Sequence, residues 1–173
     1  MDDLMDPLPA ITLHPWWAWA ILHGGKLTEY RSRPFPKALT NEWVALHAGR
    51  QPHRLPKASD LFEGEETMPS EMAEAARLKA PVMDWLRDRF AGGVLGSAVV
   101  GLVRFSDVLA PDQLGEPWRS MGKVGWWVRE FVALPRPVKT MGQQGFWRLN
   151  DIEREEVVQQ FIEVRRKREV AGG

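Results

Sequence analysis

The sequence predicts an α+β fold: a small, partly closed β-barrel of five to six strands with helices at its rim, a helical insertion and a C-terminal helix. Three features carry that expectation. The run from Gly96 to Leu109, with Val99, Val100, Leu102, Val103 and Phe105, is the most apolar of the chain and reads as a long buried strand. Several shorter β-rich runs, each bounded by glycine or proline, flank it on both sides, as short strands joined by turns do in a closing sheet. The segment from Asp151 to about Val170 is charged, with apolar residues at helical spacing, and predicts a helix outside the sheet.

Residues 1–9 read as a flexible tail, followed by a short strand at Ile11-Thr12-Leu13. Pro15 suits the first position of a helix and Gly24-Gly25 suit its exit, so a helix is predicted between them. Its spacing turns Trp17, Ala18 and Ile21 inward and puts Trp16 and Trp19 on another flank. A strand over 27–32 ends at Pro34 and Pro36. In Glu42–Ala48 the alternation sets Val44 and Leu46 on one side and Trp43, Ala45 and His47 on the other, and Gly49 closes the strand. Residues 50–68 read as loop. A helical pattern broken at Pro81 runs from Pro69 to about Phe90, making an insertion near 59–92. Gly101 marks a bend or bulge in the long apolar strand. After a loop over 110–122 comes a strand from Gly125 to Leu134, which Pro135 and Pro137 are expected to turn, and Phe146–Leu149 closes the sheet. The terminal helix should bury Ile152, Val157, Phe161 and Val164. Its basic end, Arg165 to Arg168, reads first as a solvated terminus favoured by the helix dipole, second as a phosphate contact. The domain proper spans 10–150, with a helix and tail over 151–173.

At 173 residues and 44% hydrophobic, the chain fits one domain with an ordinary core. It has no cysteine, which excludes disulfides and thiol chemistry, and its four histidines lack metal-ligand spacing, so neither metal nor cofactor is expected. No apolar run is long enough to span a bilayer, and the N-terminal Met1-Asp2-Asp3 is acidic where a signal peptide is basic; a soluble, cytoplasmic protein without membrane contact is expected. Net charge is zero but segregated. Residues 23–58 hold seven Lys or Arg against two Glu, whereas 59–76 hold six acidic residues and no basic one. The acidic run reads as a solvated loop or as a segment competing with an anionic ligand for the basic face.

The stretch Gly24-Gly25-Lys26-Leu27-Thr28-Glu29-Tyr30-Arg31 concentrates the chemistry. On a strand the period of two puts Glu29 and Arg31 on one face and Thr28 and Tyr30 on the other, while Lys26, leaving a glycine turn, can swing to either side. Two cations and an anion at one strand entrance suit a phosphate, a polar base edge or a carbonyl under attack. A plain surface ion pair on an edge strand satisfies the same spacing.

These pieces resemble the ASCH domain of the PUA-like superfold. Its signature G-x-K-x-x-E-x-R is matched by Gly24, Lys26, Glu29 and Arg31. The His14-Pro15-Trp16 entry to a helix, the Leu46-His47-Ala48 strand end, Gly101 and Val103, and the closure Gly142, Gly145, Trp147, Leu149 follow in the expected order. The likeness covers about residues 10–150 and is greatest to the ASCH domains of activating-signal-cointegrator type. It implies a PUA-like barrel with a cleft between the first helix and the sheet, floored by Lys26, Glu29 and Arg31 and suited to RNA or a modified base. Trp16, Trp126 and Trp127 are candidate stacking faces in such a cleft, with core packing as the alternative for each. His47, at a strand end beside Gly49 and Arg50, either satisfies a backbone carbonyl or joins Arg50 at the cleft, and Gln144 between glycines is placed to read a base edge or to serve a turn.

RNA or single-stranded nucleic acid is therefore the expected partner. The alternative is a hydrolase, either a ribonuclease with Lys26, Glu29, Arg31 and His47 as catalytic groups or an amidohydrolase on N4-acylated cytidine. For the latter the family uses Lys, Thr and Glu; Lys26 matches, but Glu29 stands where the threonine belongs. A lysine base needs its pKa drawn down, which Arg31 favours and Glu29 opposes. A protein-interaction role for the C-terminal helix is the third reading. Oligomeric state is left open.

Overall fold

A computed structural model of the chain describes residues 4–50, 96–109 and 124–172, the side chains of 107–109 excepted. The insertion, the acidic run and the loop over 110–122 lie outside these residues. The described elements are β1 (Pro9–Leu13), α1 (Pro15–His23), β2 (Thr28–Arg31), a 3-10 turn at Lys37–Leu39, β3 (Trp43–Ala48), β4 (Ala98–Leu109), β5 (Val124–Lys139), β6 (Phe146–Arg148) and α2 (Asp151–Gly172). The six strands form one mixed sheet in the order β2-β5-β4-β3-β1-β6, curled into a half-barrel, so the fold is α+β. β1 and β3 are parallel, from Ala10 opposite Ala45 to Leu13 opposite Ala48, so their carboxyl ends lie side by side. The other pairings are antiparallel.

Both faces of the central strands are buried, and the alternation within β3 divides the core. Val44 and Leu46 pack with Ile11, Leu13, Val103 and Phe105 beneath α1; Trp43 and Ala45 pack with Ala10, Leu102, Val132 and Leu149 beneath α2. Helix α1 has the predicted bounds but is enclosed nearly all round. Trp16 and Trp19 are buried along with Ala18 and Ile21, and Trp17, expected inward, is only half-buried. A helix that is apolar around its circumference has no polar face to give to water, so the burial of all but Trp17 and the terminal His23 follows from composition rather than periodicity.

Gly101 sits where the bend was expected. The β4–β5 register shifts between Val99 and Gly101, and a Cβ at Gly101 would come within 2.7 Å of both Leu22 Cδ2 and the Val132 carbonyl oxygen. The glycine lets α1 rest directly on the sheet.

Two expectations are corrected. β5 does not stop at Leu134 but runs on to Lys139 through Pro135 and Pro137. Gly101 faces Ala133 and Val99 faces Val138, so both prolines fall within a bulge where no ladder bond is asked of their nitrogens. Arg136, between them, donates its amide hydrogen to Gln160 Oε1 of α2 at 2.9 Å. The second correction is Ile152, which is 82% exposed. It precedes Val157 by five positions, about 140° around the helix axis, whereas Phe161 and Val164 return to within about 40° of Val157. Val157 and Phe161 are buried accordingly and Val164 packs beside them. Asn150 Oδ1 caps the helix by accepting the Glu153 amide hydrogen at 2.9 Å. At the far end Arg165 pairs with Glu130, which also holds Arg104, and Arg168 donates to the Phe131 carbonyl at 3.3 Å, so part of the basic tetrad docks on β5.

Among the described residues no helix is long and apolar enough to cross a membrane. Replacing Gly101 by alanine should cost about 1–3 kcal/mol through overpacking against Leu22 and the Val132 carbonyl, read as a lower urea midpoint at unchanged m-value.

Candidate nucleic-acid interface

A pocket of about 440 Å³ opens at the carboxyl ends of β1 and β3, between α1 and β2. Thr12, Leu13 and His14 form one wall, Trp17 of α1 and Glu29, Tyr30 and Arg31 of β2 another, and Gly49 and Arg50 the end where β3 leaves the sheet. Parallel strands bring this about, since both chains turn away at the same end and leave a crevice there.

The strand parity of β2 holds. Glu29 and Arg31 lie together, with Arg31 Nε 2.9 Å from Glu29 Oε1. Glu29 is buried, which pushes its carboxyl above the ordinary range, while Lys26 and then Arg31 act to bring it down. The Arg31 guanidinium is one-third exposed, donates to the Thr12 carbonyl at 3.3 Å and lies 5.6 Å from the Trp126 ring centroid. A guanidinium has five N–H donors, so some remain for an incoming anion. Arg50 is exposed at the mouth and makes no ion pair with a described residue.

Lys26 is placed differently from expectation. It is 1% exposed and does not line the pocket; its ammonium lies 4.7 Å from the Tyr30 ring centroid and 5.2 Å from that of Trp17, behind the two aromatic walls. Gly25, at φ +73°, turns the chain so that the lysine enters from the helix side.

His47 is also moved out of the cleft. Its parity places it on the Trp43 side of β3, where it is 1% exposed and edge-on to Trp147, ring centroids 5.4 Å apart. Nε2 is 2.9 Å from the Thr140 carbonyl and Nδ1 is 3.2 Å from Thr12 Oγ1, which itself accepts from Trp147 Nε1 at 3.1 Å. A carbonyl only accepts, so Nε2 carries the hydrogen and Nδ1 accepts from Thr12. Every polar atom of this buried chain is satisfied by a neutral imidazole. Gly142 seals it: a Cβ there would come within 2.4 Å of His47 Cε1.

The tryptophans divide. Trp126 is 5% exposed, packs with Phe35, Phe105 and Phe146, and donates its indole hydrogen to the Arg33 carbonyl at 2.8 Å. Trp16 is 9% exposed. Neither offers a free face. Trp127 is 41% exposed but opposite Thr28, on the side of β2 away from Glu29 and Arg31, and Gln144 is exposed in the loop before β6; neither lines the pocket. The structure thus brings Glu29, Arg31 and Arg50 together and keeps Lys26 just behind them. It adds Thr12, His14, Trp17 and Tyr30, which the sequence reading left out as site residues. The signal for them was the parallel β1–α1–β3 order, which a strand count alone does not supply.

Burial lowers the pKa of His47, against the Thr140 hydrogen bond and Glu153, and lowers those of His14 and His23 as well. The unfolded chain then takes up more protons than the folded one as pH falls through about 6.5, so stability is full above that pH and is lost below it. Urea unfolding should show a falling midpoint from pH 7 to pH 5, and the His47→Gln variant, weaker at pH 7, should show a shallower fall.

No protein-family model and no curated protein matches the sequence. Among solved structures the chain is similar to an ASCH protein from Zymomonas mobilis. The match to the crystal structure of that protein has 15% identity and a TM-score of 0.45 and covers 90% of this chain and 96% of that one. Two single-substitution variants of the same protein match at 15% and 16% identity, each with a TM-score of 0.45 over 88% of this chain.

Proposed function

We propose that the chain binds single-stranded nucleic acid, RNA foremost, by admitting a nucleotide to the pocket between α1 and β2. The observation that carries this is the joint presence of Arg31 and Arg50 with the aromatic walls Trp17 and Tyr30 around a volume of about 440 Å³. That volume is within the range of small-ligand sites, and cations beside aromatic faces are what a phosphate and an unstacked base need. Binding should be modest and salt-dependent, since few phosphates are met. Fluorescence anisotropy with a labelled RNA oligomer tests it: Arg31→Glu should weaken binding at low salt, and Arg50→Ala should reduce the slope of log K on log salt by about 0.7, the share of one phosphate on a single strand. An unchanged isotherm for a folded Arg31→Glu protein removes the pocket from the proposal.

A second reading, hydrolysis of RNA or of an acylated nucleoside, is favoured by Glu29, which lines the pocket with its carboxyl pushed upward and Lys26 close behind. A buried carboxyl with its pKa raised, beside a lysine, suits general acid–base work. Chromatography of incubated RNA and N4-acetylcytidine checks it: product from the parent should disappear with Glu29→Gln while RNA retention persists.

A further inference from the structure

We infer that His14 is the stacking platform for the base of the bound nucleotide. The inference rests on the binding reading above and assigns within it a role that the tryptophans do not fill. His14 precedes Pro15, which confines it to extended backbone, and it has φ −57° and ψ 143°. Its carbonyl starts α1 by accepting the amide hydrogens of Trp17 and Ala18, at 3.0 and 3.1 Å, but its side chain makes no cap hydrogen bond. The imidazole lies instead flat on Trp16, with ring centroids 4.6 Å apart and planes within 4°. Trp16 is 9% exposed and set in the core, so the base of the stack is fixed, whereas His14 is exposed and lines the pocket.

One face of the imidazole is therefore covered by Trp16, and among the described residues no other ring stacks on His14. An aromatic ring with its orientation pinned and one face free is what an extruded base requires, and little side-chain entropy is left to lose when the base arrives. Trp17 and Tyr30 differ in that each has the Lys26 ammonium against its ring. Arg31, on the neighbouring wall, is placed for the phosphate of the nucleotide whose base lies on His14.

The test is a cycle on protein and ligand. Anisotropy is measured with a labelled uridine decamer and a labelled decamer of abasic ribose phosphate, for the parent, His14→Ala, His14→Phe and His14→Gln. Stacking predicts that His14→Ala binds the uridine decamer about tenfold more weakly than the parent and the abasic decamer equally well. It predicts that His14→Phe stays within about threefold of the parent on uridine and that His14→Gln is as weak as His14→Ala. Equal binding of the uridine decamer by parent and His14→Ala overturns the inference. So does a loss of the same size on both ligands, or retention by His14→Gln with loss by His14→Phe, which would mean a hydrogen-bond contact. A parent that binds neither decamer overturns the binding reading itself. Thermal melts identify any variant that fails to fold, and the exposed position of His14 leaves His14→Phe as a folded arm of the test.

Discussion

Thr12 ties the sheet together across its own opening. In the order β2-β5-β4-β3-β1-β6, β2 and β6 are the two edges, and Thr12 of β1 is bonded to both: its carbonyl accepts from Arg31 of β2 and its hydroxyl from Trp147 of β6. The same hydroxyl meets His47 of β3. An open sheet edge is a liability, and a curled sheet that does not close by a ladder needs side chains to hold its rims at the right separation. Arg31 spans from the far edge to β1 in this way. The pocket lies under that span, so its width is set by the bond that holds the half-barrel in shape.

This arrangement divides the polar residues of the strand ends by face. On the α2 side the chain Trp147–Thr12–His47–Thr140 has each donor and acceptor matched, with Gly142 leaving no room for anything else. A saturated buried network has nothing to offer a ligand and serves to fix the loop before β6 against β1 and β3. On the α1 side the matching is incomplete: Arg31 keeps donors in reserve, Arg50 faces outward and, among the described residues, Trp16 alone stacks on the His14 ring.

How far this could be read from the sequence depends on which physical rule governed each residue. Glu29 beside Arg31 was legible because strand parity is rigid, and the bounds of α1 were legible because Pro15 and Gly24 punctuate them. Gly101 was legible as a bend, though not that Leu22 would rest on it. His47 looked like a cleft residue from its place at a strand end, yet the alternation that put it with Trp43 and Ala45 already sent it to the other face; face outranks position along the strand. The prolines of β5 misled because their exclusion from strands applies to ladder positions, and a bulge has none to fill. Trp126 and Trp127 were not separable, since the burial of one and the exposure of the other, adjacent on one strand, depend on what lies across the sheet.

Lys26 is the least expected placement and explains the sign of the site. A buried carboxylate such as Glu29 is costly without a partner, and if Arg31 alone neutralised it the two would present little net charge to a ligand. Lys26 acts on Glu29 by charge alone, beside the charge and hydrogen bond of Arg31, from a position water hardly reaches. With two cations to one anion the β2 wall remains positive, and the surplus appears on the member that is partly exposed, Arg31. The aromatic rings of Trp17 and Tyr30 give the lysine's ammonium polarisable faces in place of water. The G-x-K-x-x-E-x-R spacing thus acts in two depths: the lysine lies behind the wall, where its charge helps bring the buried glutamate down, and the arginine, paired with that glutamate, keeps one third of its side chain exposed at the surface.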